Sequence, residues 1–170
     1  MRYNKIRKMD ISDGPGVRVS IFMQGCAFNC KNCFNPETHD FNGGKEFTDE
    51  TIDKVLKLCD NENIEGLSIL GGEPMNPKNI EGTTKLAKEF KEKYPNKNLW
   101  AWSGYRFDKD LKDKEVAKYL DVLVDGQYVD ELHNPVLEWK GSENQRVIDV
   151  QKSLKENKIE LYNDKDENVD

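Results

Sequence analysis

An α/β fold with a mostly parallel sheet is what this sequence predicts, and three observations predict it. Short β-branched runs alternate along the chain with stretches that carry apolar residues at helical spacing. Parallel strands need long crossovers, and those helical stretches supply them. Each cluster of cysteines, glycines or acids also follows a predicted strand, where chemistry gathers in such sheets. At 170 residues the chain suits one domain with a sizeable core, and no internal repeat or interdomain linker divides it.

The elements follow in order. Asp13-Gly14-Pro15-Gly16 is a turn composition that needs backbone freedom. Residues 17–24 put Val17, Val19, Ile21 and Met23 on one face of a strand that Gly25 ends. Arg18, on the other face, is expected either to project from an edge strand, the favoured reading, or to form an ion pair under the site. A cysteine-bearing loop comes next, and Asn42-Gly43-Gly44 marks another. Thr48 is an N-cap, with Asp49 and Glu50 at the positive end of a helix that carries Ile52, Val55, Leu56 and Cys59. Cys59 therefore reads as a small core hydrophobe. Residues 66–70 form a strand leading into Gly71-Gly72-Glu73-Pro74, and residues 79–93 a helix with Ile80, Thr83, Leu86, Ala87 and Phe90 as its buried stripe. A third strand, 99–102, ends at Ser103-Gly104-Tyr105, and Trp100 and Trp102 are expected on opposite faces of the sheet. A helix near 112–119 leads to a strand that ends at Asp125-Gly126. The stretch 127–145 is loop-rich, with Trp139 covering part of the core. Strand at 147–150, helix at 151–157 and an extended piece at 159–162 complete the pattern. His39 and His133 read as surface residues, and Arg146 as a surface salt-bridge partner.

Composition limits the function. Hydrophobic residues are 36% and charged residues 34%, so much of the chain is solvated surface. A net charge of −6 argues against a nucleic-acid-binding face. Residues 160–170 hold five acids against Lys165, so residues 163–170 are expected to be a disordered acidic tail. No apolar run approaches the length of a membrane span and no apolar leader opens the chain, so a cytoplasmic, reducing location without membrane contact is expected.

Cys26, Cys30 and Cys33, spaced by three residues and then two, carry the chemistry. Thiolates this close suit a soft metal or an iron–sulfur cluster. Three protein ligands plus one open position describe a reactive site. A closed zinc site would need a fourth ligand, for which His39 is the local candidate. A disulfide would leave one of the three thiols unpaired.

The cysteine loop resembles that of the radical S-adenosylmethionine (SAM) family, and Gly71-Gly72-Glu73-Pro74 is similar to that family's second motif. The resemblance implies a truncated, open (β/α) partial barrel spanning residues 1–162. It implies a 4Fe–4S cluster with one iron each on Cys26, Cys30 and Cys33, and SAM on the fourth iron. Gly71, Gly72 and Glu73 would then meet the methionine end of SAM, Glu73 either accepting from the ammonium or bracing the turn. Ser103 would reach the ribose and Asp125 help close the site. The family often sets an aromatic residue just before the third cysteine; here Asn32 holds that place and Phe34 follows one later, so Asn32 and Phe34 are the candidates beside adenine.

A narrower resemblance covers most of the chain. Asp13-Gly14-Pro15-Gly16-Val17-Arg18 leading to Gly25-Cys26 is similar to activating enzymes for glycyl-radical proteins. Asn35-Pro36-Glu37-Thr38, Trp102-Ser103-Gly104-Tyr105, residues 121–126 and residues 139–146 resemble the activating proteins of anaerobic (class III) ribonucleoside-triphosphate reductase. That resemblance implies an electron from reduced flavodoxin or ferredoxin, cleavage of SAM, and hydrogen abstraction from one glycine of the reductase. Asp13 and Gly14 would hydrogen-bond the incoming glycine loop. Activation of a formate-lyase-like protein, a small-molecule radical rearrangement, and a zinc-stabilised interaction module are the competing readings.

Overall fold

The computed structural model describes residues 1–163. Most of the expected acidic tail, from residue 164 onward, lies outside the described residues. One seven-stranded sheet organises the chain. Its strands are β1 (Arg2–Asp10), β2 (Arg18–Gln24), β3 (Lys45–Glu46), β4 (Gly66–Gly71), β5 (Asn98–Ser103), β6 (Val122–Asp125) and β7 (Arg146–Asp149), in the spatial order β3-β1-β2-β4-β5-β6-β7. The central strands β2, β4, β5 and β6 run parallel. β1 and β3 add antiparallel on one side and β7 on the other, and the sheet does not close. The α/β expectation therefore holds.

Two amphipathic helices make the parallel crossovers. Helix α1 (Asp49–Cys59) starts where the Thr48 N–H donates to Thr51 Oγ1 (3.0 Å), and it buries Ile52, Val55, Leu56 and Cys59. Helix α2 (Ile80–Lys93) buries Thr83, Leu86, Ala87 and Phe90. Both pack on the sheet face that carries Val19, Ile21, Leu67, Ile69 and Leu99. Each such side chain is worth about 1.5–3 kcal/mol when fully buried. A third helix, α3 (Val150–Glu156), is capped by the Asp149 carboxylate, which accepts from the Lys152 N–H (3.1 Å), and ends at Asn157 with φ +54°.

Three expectations need correction. Arg18 is not on an edge: β1, too charged to show a strand pattern, pairs outside β2 and leaves Arg18 wholly buried. Its guanidinium donates to Asn98 Oδ1 (2.6 Å), Ser68 Oγ (2.7 Å), Leu67 O (3.0 Å) and Pro15 O (3.1 Å), and burial pushes its pKa down to about 10. Trp100 and Trp102 lie on the same face, because residues two apart on a strand always do; their rings are 5.8 Å apart, and Trp139 packs on Trp100 at 5.7 Å. In place of a helix at 112–119 there are two short turns, Phe107–Leu111 and Glu115–Lys118, which bury Phe107, Leu111, Val116 and Ala117. Those contacts explain the apolar pattern without the length a stable helix needs. Among the described residues no helix is long and apolar enough to cross a membrane.

Candidate active site

Beyond the carboxyl ends of β2, β4, β5 and β6 lies a cavity of about 580 Å³, within the usual range for small-molecule sites. Each strand end contributes to it. β2 leads into Cys26, Cys30 and Cys33, β4 into Gly71, Gly72 and Glu73, β5 into Ser103 and Gly104, and β6 into Gly126 and Gln127. The cysteine loop is tied down at its base, where Gly25 N–H donates to Thr38 O (2.6 Å) and Cys26 N–H to His39 O (3.1 Å). It curls through positive φ at Asn29 (+50°) and Asn32 (+56°), a conformation asparagine tolerates better than most residues.

The glycine segment is fitted to that loop. A Cβ at Gly71 (φ +122°) would stand 2.4 Å from Met23 N, and one at Gly72 would stand 2.7 Å from both Gly25 O and Thr38 O. Gly72 N–H donates to Met23 O (3.1 Å) and Glu73 N–H to Gly25 O (2.8 Å). The Glu73 carboxylate then accepts from Gly104 N–H (2.6 Å), Ser103 Oγ (2.7 Å) and Met75 N–H (2.9 Å). Of the two roles considered for Glu73, bracing is the one the geometry displays: it joins the ends of β4 and β5. Burial raises its pKa to about 7, against the pull of those three donors. The Ser103 hydroxyl also accepts from Tyr105 N–H (3.0 Å).

All three site thiols are free and partly exposed. Burial pushes the Cys26 and Cys30 thiols above their ordinary range, and neighbouring negative groups, the other thiols and Glu73, add to it. Thiolates here need a compensating positive charge, which bound iron supplies; the donor set fits an iron–sulfur cluster. Among the described residues no group of three His, Cys, Asp or Glu side chains is placed to hold a single metal ion. Cys59 packs in the core, its thiol pushed up to about 12 by burial.

The sequence model of the 4Fe-4S single cluster domain matches residues 12–148, a stretch that contains every strand end described above. The chain is 38% identical over 147 residues to the anaerobic ribonucleoside-triphosphate reductase-activating protein of Enterobacteria phage T4, covering 86% of this chain and 93% of the relative. It is 37% identical over 150 residues to the protein of that name from Salmonella typhi and 35% identical over 150 residues to that of Escherichia coli K12, in each case covering 86% of this chain and 97% of the relative. The chain belongs to this family of activating proteins.

In this family member the remaining candidates divide. Asp13 and Phe34 line the cavity with the cysteines and the glycine segment; Gly14 and Asn32 do not. Gly14 (φ +107°) packs on Arg18 beneath the 13–16 turn. Asn32 donates to Asp130 Oδ2 (2.9 Å) on the outer surface. Asp13 is pushed up to about 7 by burial and by its hydrogen bond with Asp10. Asp10, although burial opposes it, is held far below the usual carboxylate range by hydrogen bonds from Asp13, Ser20 and Ser12. Asp125 faces away from the cavity. It is wholly buried, and its oxygens accept from Arg146 Nε (3.0 Å), Arg146 Nη2 (2.6 Å) and Phe107 N–H (2.8 Å), so the expected lid residue is an anchor behind the wall. Arg146, expected as a surface partner, is the other half of that anchor. His133 is exposed as expected, yet it stands at the cavity mouth with Phe34 (5.7 Å) and Tyr128 (6.1 Å). Gln127, Tyr128 and Gln145 also line the cavity and were not singled out beforehand. Their loop-rich stretch has no periodicity, and only the 139–146 motif pointed towards it.

Proposed function

We propose that this protein is a radical SAM activating enzyme: it holds a 4Fe–4S cluster on Cys26, Cys30 and Cys33, binds SAM in the adjoining cavity and generates a glycyl radical on anaerobic ribonucleoside-triphosphate reductase. One observation carries the reading. Three thiols of one short loop and the Gly71–Glu73 segment face a single cavity at the carboxyl ends of four parallel strands. The names of its relatives, all activating proteins of that reductase, select the partner. The open sheet suits a truncated partial barrel, whose unclosed side admits a loop of another protein.

When bound, the cluster and SAM supply the reductive cleavage to methionine and the 5′-deoxyadenosyl radical that takes a hydrogen from the glycine Cα. The chain's own residues position and exclude. Cys26, Cys30 and Cys33 would hold the cluster and leave one iron for SAM. Gly71 and Gly72 let β4 lie against the cysteine loop, which would bring the methionine end of SAM close to the metal. Glu73 fixes Ser103 and Gly104 beside it, with the Ser103 hydroxyl near the ribose. Phe34, which lines the cavity beside Cys33, would stack on adenine, while Asn32, bonded to Asp130 on the outer surface, would not. Asp13, at the mouth, meets the incoming glycine loop, with Gly14 shaping the turn that presents it. The electron comes from reduced flavodoxin or ferredoxin, and the site of action is the cytoplasm.

The test is anaerobic reconstitution with iron and sulfide, then mixing with an anaerobic reductase, dithionite and SAM. A brown protein with about four irons per chain and a glycyl doublet in the electron paramagnetic resonance spectrum is expected. SAM cleavage without the doublet would move the assignment to a small-molecule substrate. A colourless protein that retains zinc would end the radical reading.

A further inference from the structure

An asparagine at the start of a helix ordinarily turns its side-chain oxygen back to cap the first free N–H groups. Asn79, at the start of α2, does not: its backbone already lies in the right-handed helical region (φ −113°, ψ −26°) and its side chain caps nothing. That side chain is buried, and its nitrogen meets three carbonyl oxygens, Glu73 O at 3.0 Å, Gln24 O at 3.3 Å and Gly25 O at 3.4 Å. Carbonyls only accept, so the amide has one workable orientation, with its N–H groups towards them.

The three oxygens belong to the two segments that build the cavity. Gln24 and Gly25 immediately precede Cys26, and Glu73 follows the glycines at the end of β4. Asn79 is itself fixed by its surroundings: its N–H donates to Asn76 O (2.7 Å) and its carbonyl accepts from Thr83 N–H (3.0 Å). A buried side chain anchored on α2 therefore bridges Gly25, 54 positions away, and Glu73, six positions away. Backbone bonds join the same two segments, Glu73 N–H to Gly25 O (2.8 Å) and Gly72 N–H to Met23 O (3.1 Å), and the amide secures that junction to the helix.

We propose that Asn79 is a positioning residue for SAM binding: its amide fixes the spacing between the cysteine loop and the Gly71–Glu73 segment. The proposal rests on the reading that Cys26, Cys30 and Cys33 hold a 4Fe–4S cluster to which SAM binds. Under that reading SAM is held at two points, the open iron and the glycine segment. A ligand held at two points loses affinity when their separation varies, because contact at one no longer presents it correctly to the other. Cluster retention depends on the three cysteines and should not change. Asn79 thus acts on SAM without touching it, through the carbonyls of two loops.

The experiment compares the parent protein with Asn79→Leu, which lacks donors, Asn79→Ala and Thr83→Ala after anaerobic reconstitution. Thr83 is the control: it lies on the same helix, is fully buried and donates from Oγ1 to Pro74 O (2.8 Å), yet has no bond to the cysteine loop. Circular dichroism, iron per chain and the SAM dissociation constant by equilibrium dialysis are measured on each. Full iron is expected throughout, with SAM bound about tenfold more weakly by both Asn79 variants and at parental strength by Thr83→Ala. Asn79 variants with full iron and parental SAM affinity overturn this proposal alone. So does an equal loss of affinity in Thr83→Ala, which would show a general loosening of α2. Loss of iron or of the fold from both Asn79 variants also overturns it, because Asn79 would then be a support for the loop or the domain. Should only one of the two fail in that way, the other decides. A parent that takes up no cluster, or takes it up and binds no SAM, ends the proposal together with the reading beneath it.

Discussion

Arg146→Ala should destabilise this protein by about 3 kcal/mol, although sequence inspection makes Arg146 an ordinary surface cation. The magnitude follows from its partner. Asp125 is fully buried and its carboxylate takes three hydrogen bonds, two from Arg146 and one from the Phe107 N–H. Removing the guanidinium leaves a buried carboxylate with one hydrogen-bond donor, the Phe107 N–H, and with the Nε of half-exposed Arg106 at 3.8 Å, beyond hydrogen-bond distance. Exposed ion pairs are worth about 0–1 kcal/mol, whereas breaking a buried pair costs about 3–5 kcal/mol. The Arg146 side chain is 22% exposed, which places the estimate at the low end of the buried range. For a chain of this size about 3 kcal/mol corresponds to a fall of about 6–12 °C in Tm. Urea and thermal unfolding followed by circular dichroism would measure it. One signature separates this cause from general loss of packing. Asp125→Asn in the Arg146→Ala background should restore at least half the deficit, because the neutral amide no longer needs a cation. A double variant no more stable than Arg146→Ala, or a single variant within about 1 kcal/mol of the parent, would refute the reasoning.

Three further outcomes are expected. Glu73, with its pKa raised by burial from 4.5 to about 7, keeps a proton on folding that the unfolded chain loses. Its contribution to stability is therefore present at low pH and lost as pH rises from 4.5 to 7. Glu73→Gln should remove that slope, changing the difference between the two stability curves by at most about 3 kcal/mol; parallel curves would show that the carboxylate enters the fold ionised. Cys59→Ser should keep full iron while losing about 1–3 kcal/mol of stability, since a hydroxyl replaces a thiol in the apolar core. Cys30→Ser should lose iron and SAM cleavage with the fold intact, and iron loss in the Cys59 variant would mean that a ligand has been misassigned.

What the sequence alone determined is the chemistry that travels along the chain. The three-then-two cysteine spacing, the Gly-Gly-Glu segment, and the apolar periods of β2, α1, β4 and α2 are local patterns, and the structure keeps each of those elements. Tertiary structure alone decided who meets whom. β1 has no alternating pattern, so its place beside β2, and with it the burial of Arg18, was invisible. Glu73 has the composition of a ligand contact, yet its oxygens are taken by Met75, Ser103 and Gly104. Asp125 read as part of the site and turned out to be anchored behind it by Arg146. Gln127 gave no signal at all until sheet order set it beside Cys30. Spacing records which groups a loop carries, because backbone geometry over a few residues is nearly fixed. The partner of a charge or an amide depends on strand order and on which face is covered, and those are properties of the packed sheet.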